Sequence, residues 1–428
     1  MNNNIIRSKL KSVISESKLN KLGKELEFTK RQRDVCAFNM INALIASMGE
    51  GKSKSLADLS RDFNSLTGHD LAPKPYHNQL KKSALEKVLR QVTSNALSKW
   101  VRSCYEYKKM YKKYFTEILL HDGSTLSLHK GLKDEFPGRF TATSPAAIEL
   151  HVSMNLMSNS VDSVTISADK ESERQFLPDA KNLAQTLLMA DAGYFDKSYI
   201  KELNDNDGFF IIRAALTINP TVVSGIRCDN KPLKFKQGTK LKDIKDKLPK
   251  RKSFELSIQW DNQDYRLIGF WIADKKKYSY IITNLPAADF DLKEVGQLYR
   301  LRWQIELLFK EWKSHNQLKK FNTQNPTIVY SLVWVSLLAL TLKRLLSGYV
   351  EEKFQIVLSP LTVSKTTQGW WYPLFQAILD KSQKRILSAL AIGGDILRRN
   401  AKLSSSHLKR DRNTGKFQFL IQPIAGFK

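Results

Sequence analysis

With 428 residues, 42% hydrophobic and 26% charged, the chain is too long for a peptide module and too apolar for intrinsic disorder, and it has room for two or three domains. Lys plus Arg number 69 against 42 Asp plus Glu, a formal charge of +27 that exceeds what solubility asks for and points to a polyanionic partner. Residues 1–114 hold 23 basic and 10 acidic side chains, residues 115–380 hold 35 and 30, and residues 381–428 hold 11 and 2, so nucleic-acid contacts are expected on the flanks of a nearly balanced body.

Residues 1–114 read as helical. "RDVCAFNMINALIASM" and "SALEKVLRQVTSNALSKWVRSCYEY" place apolar residues at helical spacing, and short Gly- and Pro-broken segments lie between them. This pattern suits a helix-turn-helix-like DNA-binding domain. The stretch "GEGKSKS" (Gly49–Ser55) ends like a phosphate-binding loop but fails as one: the leading glycine would fall at Ala46, and a helix precedes it where a strand is needed. The three cysteines show no metal or disulfide spacing, and the opening "MNNNIIRSKLKSV" lacks an apolar signal core, so a reducing cytoplasm is expected.

From Phe115 the period changes to that of strands: "FTEILLHDGSTLSL", "IELHVSMNL", "SVTIS" and "TLLMADAGYF". Turn and helix material, "KESERQFLPDAKNLAQ", separates the last two, which makes this an α/β region. Residues 208–286 read as a β-rich insertion, with "GFFIIRAAL", "FELSIQW", "YRLIGFWI" and "YSYIITNL" as strands and "DNQD" as a hairpin turn. Asp291 then caps one long helix running through "YRLRWQIELLFKEWKSH". The apolar stretch Thr327–Leu342 is short of the roughly 20 residues a membrane span needs, so a buried core helix and no membrane partner are expected. Residues 346–428 read as a helical region ending in a basic, Ser-rich tail, with "WWYPLF" as core or dimer surface.

At about 100° per residue, Tyr299, Arg302, Glu306 and Lys313 share an arc of about 60° on that helix, while Leu301, Ile305, Leu308, Phe309 and Trp312 take the opposite face. Charged faces usually meet only water. Here, however, Asp122 follows "EILL" and Asp191 follows "LLMA", each at or near the C-terminal end of a buried strand, where open α/β sheets gather ligands. Two such aspartates and Glu306 make an all-oxygen set suited to Mg²⁺. Arg213 is a candidate phosphate contact, and His121, beside Asp122, reads as packing or as a group supporting that aspartate from behind.

These residues resemble the DDE-type transposases of bacterial insertion sequences, in particular the insertion-sequence-four family. That family's signature helix reads Tyr, two residues, Arg, three residues, Glu, six residues, Lys, as do Tyr299, Arg302, Glu306 and Lys313. Its two aspartate motifs match "LLHDGS" at Asp122 and "DAGY" at Asp191, and "FPGRFTATSPAAIELHVSMNL" looks like the sequence it places between them. The resemblance spans roughly residues 115–342. It implies an RNase H-like mixed sheet (residues 115–207 and 287–345) interrupted by the β-rich insertion (208–286), with an all-α DNA-binding domain (1–114) before it and a helical region (346–428) after it. It further implies cleavage of DNA at terminal inverted repeats and joining of 3′-hydroxyl ends to target DNA, with two Mg²⁺ ions, or Mn²⁺ in their place, on Asp122, Asp191 and Glu306. Tyr299, Arg302 and Lys313 would hold DNA near the cut, Trp260 or Trp271 would stack on a flipped base, and a homodimer would form the synaptic complex. A nuclease without strand transfer and a catalytically silent DNA-binding regulator are the rival expectations.

Overall fold

A computed structural model describes residues 3–30, 35–50, 54–98, 105–107, 109–158, 160–215, 217–315, 323–367, 369–403 and 421–423. The helices α1 (Asn3–Ile14), α2 (Glu16–Glu25), α3 (Ala37–Gly49), α4 (Leu56–Thr67), α5 (Pro73–Leu80) and α6 (Ser83–Ser98) open the chain. Ser55 and Asp58 form a reciprocal capping box at the start of α4, which fixes where that helix begins. α3 is buried almost all round, the mark of a central helix. Helix does not fill the whole of residues 1–114. Tyr105–Tyr107 forms a strand, β1, in place of the expected helix, because its partner comes from the far end of the chain.

A short helix, α7 (Lys109–Tyr114), leads into an eleven-stranded sheet. Its first part comprises β2 (Glu117–Ser127), β3 (Pro137–Phe140), β4 (Ser144–Asn155), β5 (Ser160–Ala168), β6 (Thr186–Ala190) and, after α8 (Lys197–Asp205), β7 (Phe209–Ala214). Neighbours run in the order β5, β4, β2, β6, β7; β4 is antiparallel to both β5 and β2, while β6 and β7 run parallel to β2. The "KESERQFLPDAKNLAQ" stretch contributes only 3₁₀ turns.

The β-rich stretch does not stand apart from this sheet. β7 belongs to its parallel part, and β8 (Thr221–Arg227), β9 (Thr239–Lys240), β10 (Phe254–Trp260), β11 (Gln263–Ile272) and β12 (Lys277–Thr283) continue it, because β12 pairs antiparallel with β7. β7 would otherwise leave an open apolar edge, and β12 covers it. The expected hairpin turn is present: Asp261 and Asn262 both take positive φ between Trp260 and Gln263, as a tight two-residue β-hairpin requires.

After the sheet come α9 (Leu292–Arg300), α10 (Trp303–His315), α11 (Pro326–Phe354), α12 (Pro360–Lys365), α13 (Trp371–Leu379) and α14 (Gln383–Asn400). The final strand, β13 (Ile421–Pro423), pairs with β1; the basic tail before it, residues 404–420, lies outside the described residues. α11 has 29 residues, longer than the apolar run suggests, and its most apolar window is 83% buried. It is wrapped by protein. One apolar cluster joins α11 to the N-terminal helices, α13 and α14, and hydrogen bonds stitch it: the Thr93 hydroxyl donates to the Trp334 carbonyl at 3.1 Å, and the Trp371 indole to the Ile45 carbonyl at 3.1 Å. "WWYPLF" is thus core, with Trp370, Trp371 and Phe375 buried.

A charged group in this core fixes α10 to its neighbours. The buried Glu311 carboxylate accepts from Arg344 of α11 and, at 3.1 Å, from the Ser364 hydroxyl of α12. Lys343, fully buried over the Trp371 ring, is pushed down to about 7 by burial, with Glu311 opposing the shift. Glu311→Leu removes the buried acceptor that Arg344 and Ser364 share and is expected to cost about 3–5 kcal/mol. Urea unfolding with unchanged m-value checks this, and a loss under about 1 kcal/mol would mean that Glu311 does not anchor α10.

Candidate active site

The signature segment is not one helix but two. Asp291 caps α9 by accepting from the Glu294 amide at 2.7 Å. At its far end the ladder tightens: Leu301 N–H donates to Leu298, Arg302 to Tyr299, Gln304 to Leu301 and Ile305 to Arg302, all three residues back, at 2.9–3.1 Å. A turn of this kind rises about 2.0 Å per residue instead of 1.5 Å and re-aims the residues on either side. The sequence holds no Gly or Pro there, so the break is a tertiary effect: Tyr299 and Arg302 reach different aspartates. The apolar face survives it, with Leu301, Ile305, Leu308, Phe309 and Trp312 all buried.

Asp122 lies within β2, opposite Val152 of β4, rather than at the strand's end. Its place still has a topological cause. Parallel pairing of β2 with β6 runs from Glu117 to His121 and stops, so Asp122 is the first residue beyond it, and Asp191 is the first residue beyond β6. Both carboxylates therefore stand at one spot on the sheet.

Arg302 connects the acids. Its Nη1 donates to Asp122 Oδ2 at 2.5 Å and its Nη2 to Glu306 Oε1 at 2.5 Å. The Gly123 amide donates to the other Asp122 oxygen at 2.9 Å. Asp191 Oδ1 accepts from the Tyr299 hydroxyl at 3.3 Å and from Arg213 Nη1 at 3.5 Å. Burial pushes Asp122 up to about 6, Asp191 and Glu306 adding to the rise, while Arg302 and the Gly123 amide oppose it. Burial works against the Arg302 charge, yet Asp122, Tyr299, Asp191 and Glu306 raise its pKa all the same. Tyr299 is raised by burial and by Asp191, so it stays a hydroxyl donor.

The three acids were expected to close on common cations. Among the described residues no three such side chains converge in ready metal geometry. The reason is visible: Arg302 stands between Asp122 and Glu306, relieving their repulsion. The donor set fits a hard divalent cation, all carboxylate oxygen from three separate elements, with a guanidinium as the stand-in positive charge.

Lys313 is half-buried on α10, seven residues beyond Glu306, or about 10 Å along the helix. Arg213, a lone strand arginine in sequence, proves to face Asp191. Trp260 lies in the core against Phe195 with Lys197 over its ring, and Trp271, half-buried, packs edge-on to Tyr278. His121 is buried and paired with the Ser153 hydroxyl at 2.9 Å, and burial pushes it down to about 3; His151, pushed by burial down to about 4, pairs with the Tyr194 and Ser167 hydroxyls. Both are neutral packing groups. Trp303, 48% exposed beside Arg302, escaped notice. At about 40° from Tyr299 it lies just outside the arc that holds Tyr299, Arg302, Glu306 and Lys313, so periodicity alone did not single it out.

The fold and site thus define a mixed α/β protein carrying two aspartates and a helical glutamate around one arginine. Residues 113–342 match the family model described as a transposase DDE domain, and the chain belongs to that family. It is 23% identical over 359 residues to the transposase for insertion sequence element IS1151 of Clostridium perfringens, covering 73% of this chain and 74% of that one. The transposase for insertion sequence element IS231D of Bacillus thuringiensis subsp. finitimus is 22% identical over 465 residues, covering 97% and 95%. A solved structure, the piggyBac transposase synaptic complex with hairpin DNA, aligns with TM-score 0.49 and 11% identity over 96% of this chain and 88% of that chain.

The Asp122 shift carries a sign. Its folded pKa of about 6 lies above the ordinary 3.8, so between those values the folded chain keeps a proton that the unfolded chain has lost, and stability falls as pH rises through the window. Two pK units correspond to about 3 kcal/mol. In chelator, the stability of Asp122→Asn relative to the parent chain should therefore improve by about that much between pH 3 and pH 8. A difference that denaturant titrations show to be flat with pH would mean that Asp122 pays no charge-burial penalty.

Proposed function

We propose that this chain is a transposase that cleaves DNA at the ends of an insertion sequence and joins the freed 3′-hydroxyls to target DNA, using an RNase H-like core. Three antiparallel strands followed by two parallel ones support the core assignment, with the acids just beyond the β2–β6 pairing. The observation that carries the activity is the Arg302 guanidinium held by Asp122 and Glu306, with Asp191 within its electrostatic reach: a pocket built to hold positive charge.

Asp122, Asp191 and Glu306 would hold two Mg²⁺ ions, or Mn²⁺ in their place. When bound, such ions supply charge neutralisation at phosphorus and activation of the attacking oxygen. Arg302, released from the carboxylates, would pair bidentately with a backbone phosphate. Arg213, Lys313 and the Tyr299 hydroxyl would grip the same strand and orient the 3′ end for in-line attack. Trp303 offers a flat apolar face beside that strand. The basic segments 1–114 and 346–428 would hold double-stranded DNA on the flanks of the core, 115–207 and 287–345, with the β-rich 208–286 alongside, and a homodimer would join two terminal repeats. Intact acids favour this over a silent regulator. A nuclease would share the acids and differ only in lacking joined products.

The test is incubation of the purified chain and Mg²⁺ with DNA carrying its own flanking repeats, reading 3′-hydroxyl ends and joined strands. Asp191→Asn and Glu306→Gln should each lower cleavage by about 10³-fold or more while end binding persists. Lys313→Ala should weaken binding and lower the salt slope by about one. Cleavage that survives loss of either acid would reject the reading.

A further inference from the structure

We propose that Arg139 is a positioning residue that sets the separation of Asp122 and Asp191 from the opposite face of the sheet. The inference rests on the acid-site reading above. Side chains alternate along β2, so Asp122 faces α10 while His121 and Thr125 point the other way, as the Gly123 position also does. On that rear face Arg139 spreads its guanidinium between two carboxylates, Nη2 to Glu149 Oε2 at 2.9 Å and Nη1 to Glu173 Oε1 at 2.7 Å. Its own backbone is fixed by Asp169, which accepts from the Arg139 amide at 2.7 Å and, at its other oxygen, from the Thr125 hydroxyl at 2.7 Å.

Each of the two carboxylates lies against a glycine within two residues of one of the site's aspartates. Glu149 Oε1 is 2.4 Å from where a Cβ on Gly123 would stand, and Glu173 Oε2 is 1.7 Å from where one on Gly193 would stand. Gly123 directly follows Asp122, and Gly193 comes two residues after Asp191. These glycines are small because carboxylates press on them. One planar fork therefore holds, through two carboxylates, the backbone beside both aspartates; a lysine, with a single point charge, cannot bridge both in this way. Glu149 is 4% exposed with Arg139 in place, and loss of the guanidinium removes the cation that fixes its carboxylate against Gly123.

The experiment reads Mn²⁺ binding to the metal-free full chain, from loss of the free-ion magnetic resonance signal, in the parent and in Asp191→Asn, Arg139→Gln and Gly193→Ala. Gly193→Ala keeps Arg139 and displaces Glu173, so it decides the matter should Arg139→Gln fail to fold. Both variants should melt cooperatively and bind end DNA, yet hold Mn²⁺ at least about tenfold more weakly. Combined with Asp191→Asn, Arg139→Gln should add little, because an aspartate already lost has no position to set. Folded variants that bind Mn²⁺ within about twofold of the parent, or losses that multiply fully with Asp191→Asn, would overturn the proposal. A parent chain that binds Mn²⁺ no better than Asp191→Asn would instead defeat the acid-site reading, and this inference with it.

Discussion

Two aspartates on the sheet and a glutamate on the helix that faces it need a positive charge among them, and in this structure Arg302 supplies it to Asp122 and Glu306. Its bonds to Asp122 and Glu306 bring a strand and a helix together that are separated by 180 residues of chain. Much of the local architecture follows from that demand. The ladder between α9 and α10 tightens at Leu301 and Arg302, so that Tyr299 can meet Asp191 while Arg302 meets Asp122. On the opposite face of α10, Glu311 is locked to Arg344 and Ser364, so the helix that carries Glu306 is held from behind as well as in front.

The sheet performs the complementary task for the aspartates. β2 and β6 pair in parallel until His121 and Ala190, and the next residue of the chain after each is an aspartate. Asp122 is carried on the strand itself, and Asp191 is the first residue after β6, capping the 3₁₀ turn Ala192–Tyr194. Sites carried on sheet backbone hold their geometry better than sites on mobile connections, and the burial of β6 on every residue makes Asp191's starting point rigid. Continuation of the sheet through β12 and β11 adds to that rigidity, because β7, which carries Arg213, is paired on both sides.

How much of this was legible in the sequence depended on the range of the interaction concerned. The apolar face of the α9–α10 segment and its Tyr, Arg, Glu and Lys are periodic, and the apolar runs before Asp122 and Asp191 are local; each could be read directly. The break at Leu301 has no local signal, since nothing in "YRLRWQ" disfavours helix, and it arises from contacts with residues more than 100 positions away. Pairing of Tyr105–Tyr107 with Ile421–Pro423, and the joining of β12 to β7, are equally invisible to periodicity. Arg139, Glu149 and Glu173 sat in plain view in the sequence, but their meaning lies in two glycines elsewhere in the chain, and glycine gives no hint of what fills the space it leaves.

Arginine suits the central position for a reason that links the resting structure to the proposed chemistry. Carboxylate and phosphate present similar paired oxygens to a guanidinium, and a planar fork binds either bidentately. Exchange of Asp122 and Glu306 for a DNA phosphate would conserve the number of charge-assisted hydrogen bonds made by Arg302, provided that divalent cations take over the neutralisation of the acids. On that reading, arrival of metal and arrival of DNA are coupled: each makes the other's binding less costly, because metal frees the arginine that DNA needs and DNA removes the arginine from where metal must sit. A lysine at the same place could neutralise one acid, but it would lack the geometry to hold both and then turn to a phosphate without loss.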